Sequence, residues 1–280
     1  MAKFKGSLEN FSADVRLKII DTVERTGTGH IASALSMVEI LAVLFNRVLS
    51  YCNSVEKWND PCRDRFVLSK GHGALSLYAT LDLKGFTDSM LDDYLVNGSG
   101  ITAFPCNRFP IGLDFSSGSL GHGLSFSCGL SYSLRLECSE ARVFVLCSDG
   151  ECQEGSTWEA AQFAGHHNLS NLVVIIDRNG YQAFGKVSEV NNQDNLGVRW
   201  QGLGFKVLEV DGHDVKALTT ALSSQRDGSD KPTVIIANTI KGKGISFMEN
   251  HIEWHYLPIN SKQAHQARNE IRTCHAKHAG

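Results

Sequence analysis

Four short glycine-bearing segments hold the residues of this chain that could do chemistry. Ser69-Lys70-Gly71-His72-Gly73 follows a short apolar run. Ser117-Gly118-Ser119-Leu120-Gly121-His122-Gly123 opens a helical stretch towards Leu136. Ser148-Asp149-Gly150-Glu151 closes the run Val143–Cys147, and Asp177-Arg178-Asn179-Gly180-Tyr181 closes the next one. Glycine at such places lets backbone amides approach a ligand, and a helix start favours anionic oxygens. Singly, each segment reads as a turn after a strand. Asp149 and Asn179 make the set more specific, because both end neighbouring strands and can converge at one sheet edge. A carboxylate, an amide oxygen and a backbone carbonyl just beyond Asn179 would leave Mg²⁺ positions for two phosphate oxygens and a water. That suits a magnesium diphosphate. The same spacing equally fits an Asp that caps a helix and an Asn that holds a turn.

The elements that must position these loops follow from periodicity. Val15, Ile19, Ile20 and Val23 form one apolar helical face, stopped by Thr26-Gly27-Thr28-Gly29. Ser36 with Glu39 and Ser156 with Glu159 have capping-box spacing, the second opening a helix over Ser156–Leu169. Val143–Cys147, Leu172–Ile176, Phe205–Val210 and Thr233–Ala237 are short and continuously apolar, with a further strand at Arg65–Leu68 and a helix at Asp214–Ser224. Such runs, alternating with helices, predict an α/β fold: a parallel sheet flanked by helices, with ligands at the carboxyl ends of the strands.

Composition narrows the classes of function. The 280 residues carry 27 basic and 30 acidic side chains, a net charge of −3, and are 42% hydrophobic and 20% charged. This is ordinary for a globular protein of one large or two small domains. It argues against nucleic acid or an anionic membrane as the main partner. The longest apolar run, around Ile40–Phe45, is far short of the roughly 20 residues that span a bilayer. The start, Met1-Ala-Lys-Phe-Lys-Gly, has no apolar signal core, so a cytoplasmic protein is expected. Cys52, Cys62, Cys106, Cys128, Cys138, Cys147, Cys152 and Cys274 include no Cys-x-x-Cys pair and read as reduced, mostly buried thiols. His166 and His167, on the Trp158–Leu169 stretch, read as surface or satisfied core residues.

Several segments resemble a known family. Ser148-Asp149-Gly150, thirty residues ahead of Asn179-Gly180, is similar to the Gly-Asp-Gly…Asn motif for thiamine diphosphate. Gly29-His30 with Ser33-Ala34-Leu35-Ser36-Met37 resembles a histidine segment of the amino-terminal half of transketolase. Asp64-Arg65-Phe66-Val67-Leu68-Ser69-Lys70-Gly71-His72-Gly73, Gly118–Gly123, Thr239-Ile240-Lys241-Gly242-Lys243-Gly244 and Trp254-His255 resemble further segments of it, in order over residues 15–258.

The resemblance implies a thiamine diphosphate-binding domain over residues 1–260 and a polar, helical tail over 261–280, carrying His265, His275 and His278 on a solvated final helix. It implies that Asp149, Asn179 and the carbonyl of Tyr181 hold a divalent cation, Mg²⁺ or else Ca²⁺ or Mn²⁺. Gly150 and His72 would contact the diphosphate. Gly118, Ser119 and Leu120 would seat the aminopyrimidine, with His122 adjacent. Glu154 would lie behind the cofactor, connecting paired sites. His30, His72 and His255 would serve the reacting sugar, and His251 lies close to where larger transketolases carry another histidine. The implied reaction moves a two-carbon ketol unit from a ketose, expected to be a phosphate, to an aldose.

The resemblance also implies a partner. Full-length transketolases continue into a pyrimidine-binding domain whose glutamate activates the cofactor, and this chain has no room for one before Gly280. A second chain carrying the pyrimidine-binding and C-terminal domains is therefore expected, with two copies of each chain in a heterotetramer. The rival readings are a non-catalytic scaffold, a component of a 2-oxoacid dehydrogenase and a deoxyxylulose-phosphate synthase fragment. Two departures stand out. Ser148 replaces the first glycine of Gly-Asp-Gly. Thr102-Ala103-Phe104-Pro105-Cys106-Asn107 stands where split transketolases carry Gly-His-Pro, whose histidine contacts donor hydroxyls. That exchange points to an unusual donor sugar or to weakened activity.

Overall fold

The computed structural model describes residues 6–51, 58, 60–87, 90–108, 112–224 and 230–278. Cys52 and the side chains of His275 and His278 lie outside the described residues. Helix α1, Leu8–Thr26, starts where Ser7 accepts a hydrogen bond from the Asn10 N–H and stops at Gly27, whose φ of 66° only glycine adopts without cost. Val15, Ile19, Ile20 and Val23 are fully buried along it, as their spacing predicts. Then follow α2 (Ile31–Leu35), α3 (Val38–Val43), β1 (Arg65–Leu68), α4 (Ala74–Leu83), α5 (Gly123–Leu136), β2 (Val143–Ser148) and α6 (Gly155–His166). The chain continues through β3 (Leu172–Arg178), the hairpin β4 (Tyr181–Gln182) and β5 (Gly185–Lys186), α7 (Val187–Val190), α8 (Leu196–Gly202), β6 (Lys206–Asp211), α9 (Val215–Ser223), β7 (Thr233–Asn238) and α10 (Ser261–His278).

Five strands form one parallel sheet in the order β1-β2-β3-β7-β6. Successive side chains of a strand face opposite ways, and here both faces are covered. Phe144, Leu146, Val173 and Ile175 pack with α1, α3 and α4, while Val143, Val145, Cys147, Val174 and Ile176 pack with α5 and α6. This explains why β2 and β3 read as continuous apolar runs. The edge strand β6 departs from that expectation, since its residues are only half-buried or exposed.

Both capping boxes give way to tertiary contacts. Ser36 closes α2 rather than opening α3, and its hydroxyl donates to Asp177 Oδ2 at 2.6 Å. Glu39 instead pairs with Arg16 and His213. Ser156 lies inside α6, which Glu154 precedes, and its hydroxyl donates to the Gly121 carbonyl at 2.8 Å. Of the cysteines, Cys128, Cys147 and Cys152 are buried as expected, whereas Cys62, Cys138 and Cys274 are exposed, because they lie in loops and on an outer helix face. His166 is exposed, and His167 packs on Phe163 and Tyr132 at the surface. The inner face of α10, Ala264, Ala267 and Ile271, is buried, and Arg268 bonds Asp21 and Glu24 of α1. Among the described residues no helix is long and apolar enough to cross a membrane.

Candidate active site

The carboxyl ends of β2 and β3 lie side by side, with Ser148 opposite Asp177. Asp149 therefore sits against the loop after β3. Its Oδ1 accepts from the Gly150 N–H at 2.8 Å and its Oδ2 from the Gly180 N–H at 2.7 Å. Asn179 is buried, and its Oδ1 holds a turn by accepting from the Tyr181 N–H at 3.1 Å. The cap and the turn that the spacing allowed are thus both present, and the two side chains also converge. A cavity of about 450 Å³ opens over Asp149, Asn179, Gly180 and Thr239. Burial pushes the Asp149 carboxyl up to about 6, helped by Asp177, while the two N–H groups pull it back. A buried carboxylate and an amide oxygen at the edge of an open cleft fit a hard, oxygen-seeking cation with phosphate beside it. Among the described residues no cluster of three or more His, Cys, Asp or Glu side chains could hold a metal. The candidate cation site is this mixed oxygen set. Ser148 fits in place of glycine, because its hydroxyl accepts the Glu151 N–H at 3.1 Å and closes the turn.

Glu151, given no role by sequence reasoning, pins two glycine loops together. It is fully buried, accepts from the Gly121 N–H at 2.8 Å and from the Ser69 hydroxyl, and Ser69 in turn accepts from the Gly123 N–H at 3.0 Å. A Cβ on Gly123 would lie 2.3 Å from Ser69 Oγ, so only glycine allows this approach. Gly118, Ser119 and Glu154 are exposed and Leu120 is half-buried along the same rim. His122 is exposed and takes no part in the histidine cluster.

That cluster joins His30, His72 and His255. Ring centroids lie 5.9 Å apart for His30 and His72, 5.3 Å for His30 and His255, and 6.0 Å for His72 and His255. Phe104 and Tyr256 flank His30 at 5.9 and 5.2 Å. Thus the segment that departs from the Gly-His-Pro pattern sets an aromatic ring against His30. His251 is exposed and pairs with Glu253 at 3.4 Å, so His255 is the histidine of this segment that joins the cluster. Burial lowers all three imidazoles, with Lys241 adding to His30, Lys70 and Lys241 to His72, and Lys241 bringing His255 to about 3. All three are neutral at pH 7.

Two buried lysines connect the cluster with the Asp149–Asn179 corner. Lys70 ion-pairs with Asp177 of β3 and donates to the Ser33 carbonyl at 3.2 Å. Lys241 donates to the Ser33 hydroxyl and to His255 Nδ1, each at 3.0 Å. Asn179 Nδ2 lies 3.5 Å from Asp177 Oδ2. Burial pushes Asp177 up, but Lys70, Ser36 and Thr239 hold it below the usual carboxylate range. Both lysines stand within recognisable motifs, yet sequence reasoning missed their roles. The signal that could have found them is an ammonium placed next to apolar strand ends and glycines, where it must find partners.

Comparison with known proteins supports the resemblance. Residues 9–277 match the family described as "Transketolase, thiamine diphosphate binding domain". The chain belongs to the transketolase family. Within it, the chain is 34% identical over 263 residues to a 6-deoxy-6-sulfo-D-fructose transketolase subunit of Clostridium sp., covering 94% of this chain and 95% of that protein. It is 35% identical over 266 residues to an apulose-4-phosphate transketolase subunit of Phocaeicola vulgatus, covering 95% and 94%. The transketolase structure from Campylobacter jejuni superposes with a TM-score of 0.87 at 28% identity, covering 94% of this chain and 42% of that one. The chain thus spans about two fifths of the solved transketolases, their thiamine diphosphate-binding part.

Proposed function

We propose that this chain is the diphosphate-binding subunit of a heteromeric transketolase, moving a two-carbon ketol unit from a ketose phosphate to an aldose. The observation that carries the reading is the continuous polar network from the Asp149–Asn179 corner through Asp177, Lys70, Ser33 and Lys241 to His255. It couples a cation and phosphate site to a cluster of neutral imidazoles. Asp149, Asn179 and the Tyr181 carbonyl would hold Mg²⁺, and Gly150 and His72 would contact the diphosphate. Gly118, Ser119, Leu120 and His122 would border the aminopyrimidine, with Glu154 behind them. Two relatives that match nearly end to end are described as transketolase subunits, which supports a partner chain. That partner would carry the remaining domains, with two copies of each chain in the assembly.

Thiamine diphosphate, when bound, supplies the electron sink for breaking and making a carbon–carbon bond beside a carbonyl. The protein must move the protons. The donor's C2–C3 bond breaks as the C3 hydroxyl loses its proton, and the acceptor's carbonyl oxygen gains one as the new bond forms. His255 accepts the Lys241 ammonium at Nδ1, so its own proton sits on Nε2 and is available to a substrate oxygen. His30 and His72, kept neutral by burial and by the nearby lysines, each keep one ring nitrogen as a hydrogen-bond acceptor for a substrate hydroxyl. Positioned acid–base groups of this kind each contribute about 10²- to 10⁴-fold in rate.

The test is a gentle native purification of the tagged chain, followed by Mg²⁺–thiamine diphosphate titration and a ketol-transfer assay over ketose phosphates. An equimolar α/β partner of about 30–40 kDa is expected, with saturable cofactor binding and transfer by the complex. A complex that binds no cofactor would make the chain a scaffold. Decarboxylation of 2-oxoacids in place of ketol transfer would reassign the chemistry.

A further inference from the structure

Exposure rises outward through the aromatic groups around His30. His255 is 7% exposed, Phe104 37% and Tyr256 63%. The His30 ring centroid lies 5.3 Å from His255, 5.9 Å from Phe104 and 5.2 Å from Tyr256. The side of the cluster nearest solvent is therefore walled by two rings. The fold pins the backbone of Phe104. Its carbonyl accepts from the Tyr78 hydroxyl at 3.1 Å and from the Thr102 hydroxyl at 2.7 Å, and the Pro105 carbonyl accepts the Ser117 N–H at 3.1 Å. The ring itself rests on the residue before His72, since a Cβ on Gly71 would lie 3.2 Å from Phe104 Cδ1. A phenyl ring held in place beside three neutral imidazoles, and left open to water, is set for a ligand rather than for the core.

Imidazoles and phenyl ring suit different parts of one substrate. The imidazoles serve the oxygens of the reacting carbons. The phenyl ring has no donor or acceptor, so a hydroxyl turned to it loses water and gains no partner, whereas C–H bonds pack on it favourably. Tyr256 carries a hydroxyl that can answer a sugar hydroxyl; Phe104 carries none. Because Phe104 lies on the outer side of His30, it meets the carbon chain beyond the reacting carbons. In ketol transfer that chain belongs to the aldose, which leaves the donor and enters as acceptor through one aldehyde position. We propose that Phe104 is a specificity-determining residue whose ring selects an aldose with no hydroxyl on one of the two carbons next to its aldehyde. The inference rests on the ketol-transfer reading above and adds the class of sugar, a deoxy aldose.

The test uses the full chain with its copurified partner, and the ketose phosphate that supports transfer as fixed donor. The ratio kcat/KM is measured for ribose 5-phosphate and for its 2-deoxy and 3-deoxy forms, in wild type, Phe104→His, Phe104→Tyr and Phe104→Leu. Comparing each variant's preference with that of wild type cancels differences in ring opening between the sugars. Wild type is expected to prefer one deoxy sugar by about 10- to 100-fold. Phe104→His and Phe104→Tyr put a hydrogen-bonding group at the ring and are expected to lower that preference about tenfold, while Phe104→Leu keeps it within a few-fold. Either polar variant decides the matter if the other does not fold. Each complex is also sized by light scattering and titrated with Mg²⁺–thiamine diphosphate, and both readouts are expected to match wild type. An unchanged preference in the polar variants would overturn the role of Phe104, as would a wild type that prefers neither deoxy sugar. Loss of the partner chain in the variants would make Phe104 a subunit contact and overturn the role too. A wild-type complex that transfers no ketol unit from any ketose would overturn the ketol-transfer reading, and this role with it.

Discussion

Lys241, 1% exposed, holds its ammonium 3.0 Å from Nδ1 of His255. The contact fixes the imidazole's tautomer and places a buried cation behind the histidine cluster. Burial, with Lys70 close by, pushes Lys241 from the ordinary 10.5 down to about 8. In the cofactor-free protein the folded state therefore binds this proton less tightly than the unfolded state. The penalty is fully present below pH 8 and is relieved as pH rises from about 8 to 10.5. The stability of wild type relative to Lys241→Met should shift in favour of wild type by up to about 3 kcal/mol between pH 7 and 10.5. Urea midpoints at three pH values read this directly, and a pH-independent difference would refute it.

His30 lies among the other two histidines and both flanking aromatics and does not line the cavity over Asp149 and Asn179. His30→Ala should lower ketol transfer by about 10²- to 10⁴-fold while leaving the dissociation constant for Mg²⁺–thiamine diphosphate within a few-fold of wild type. Steady-state kinetics beside a binding titration separate the two effects.

At the proposed cation site, Asp149→Ala removes both the charge and the acceptor for the Gly150 and Gly180 N–H groups. Cofactor affinity in the presence of Mg²⁺ should fall on the order of 100-fold. Asn179→Asp should fall less, since an oxygen stays in place. Equal affinity in Asp149→Ala and wild type would remove Asp149 from the cation site.

Gly121 has a φ of 82°, and a Cβ on it would lie 2.5 Å from Ser156 Oγ and 2.8 Å from Glu154 Cβ. Gly121→Ala should cost about 1–2 kcal/mol in backbone strain and displace the 117–123 rim. A lowered melting temperature together with weaker cofactor binding is expected. Weakened binding should be absent if that rim takes no part in the site.

Glu39 takes a bidentate bond from Arg16 at 2.6 and 2.9 Å and faces His213 Nδ1 at 2.9 Å, while His213 Nε2 accepts the Ile240 N–H. Burial pushes its carboxyl up, but Arg16 and His213 hold it down at about 2. The stabilisation is present above the ordinary 4.5 and is lost as pH falls towards 2. Glu39→Gln should destabilise at pH 7 by about 3–5 kcal/mol and lose that acid-range slope, which acid unfolding of both proteins will show.

The parallel sheet was legible because β2, β3 and β7 are buried on both faces and leave uninterrupted apolar runs. The edge strand β6 was placed only to within a residue. Asp149 and Asn179 were legible for the same reason, since each directly follows a strand whose end the apolar run marks. Ser36, Glu39 and Ser156 were misread. Local spacing gave them helix caps, while partners 141, 23 and 35 residues away in sequence offered buried hydrogen bonds.

By itself, the amino-acid sequence determined which side chains stand at the ends of the strands and which family the order of the motifs resembles. Both follow from local hydrophobic pattern and from residue types at short spacing. Only the tertiary structure decided that Lys241 meets His255 and that Glu151 rather than a cap ties Gly121 to Ser69. Those facts depend on which buried polar groups find partners once distant segments pack. A buried polar group takes whatever donor or acceptor the fold brings to it, and no local spacing records that choice.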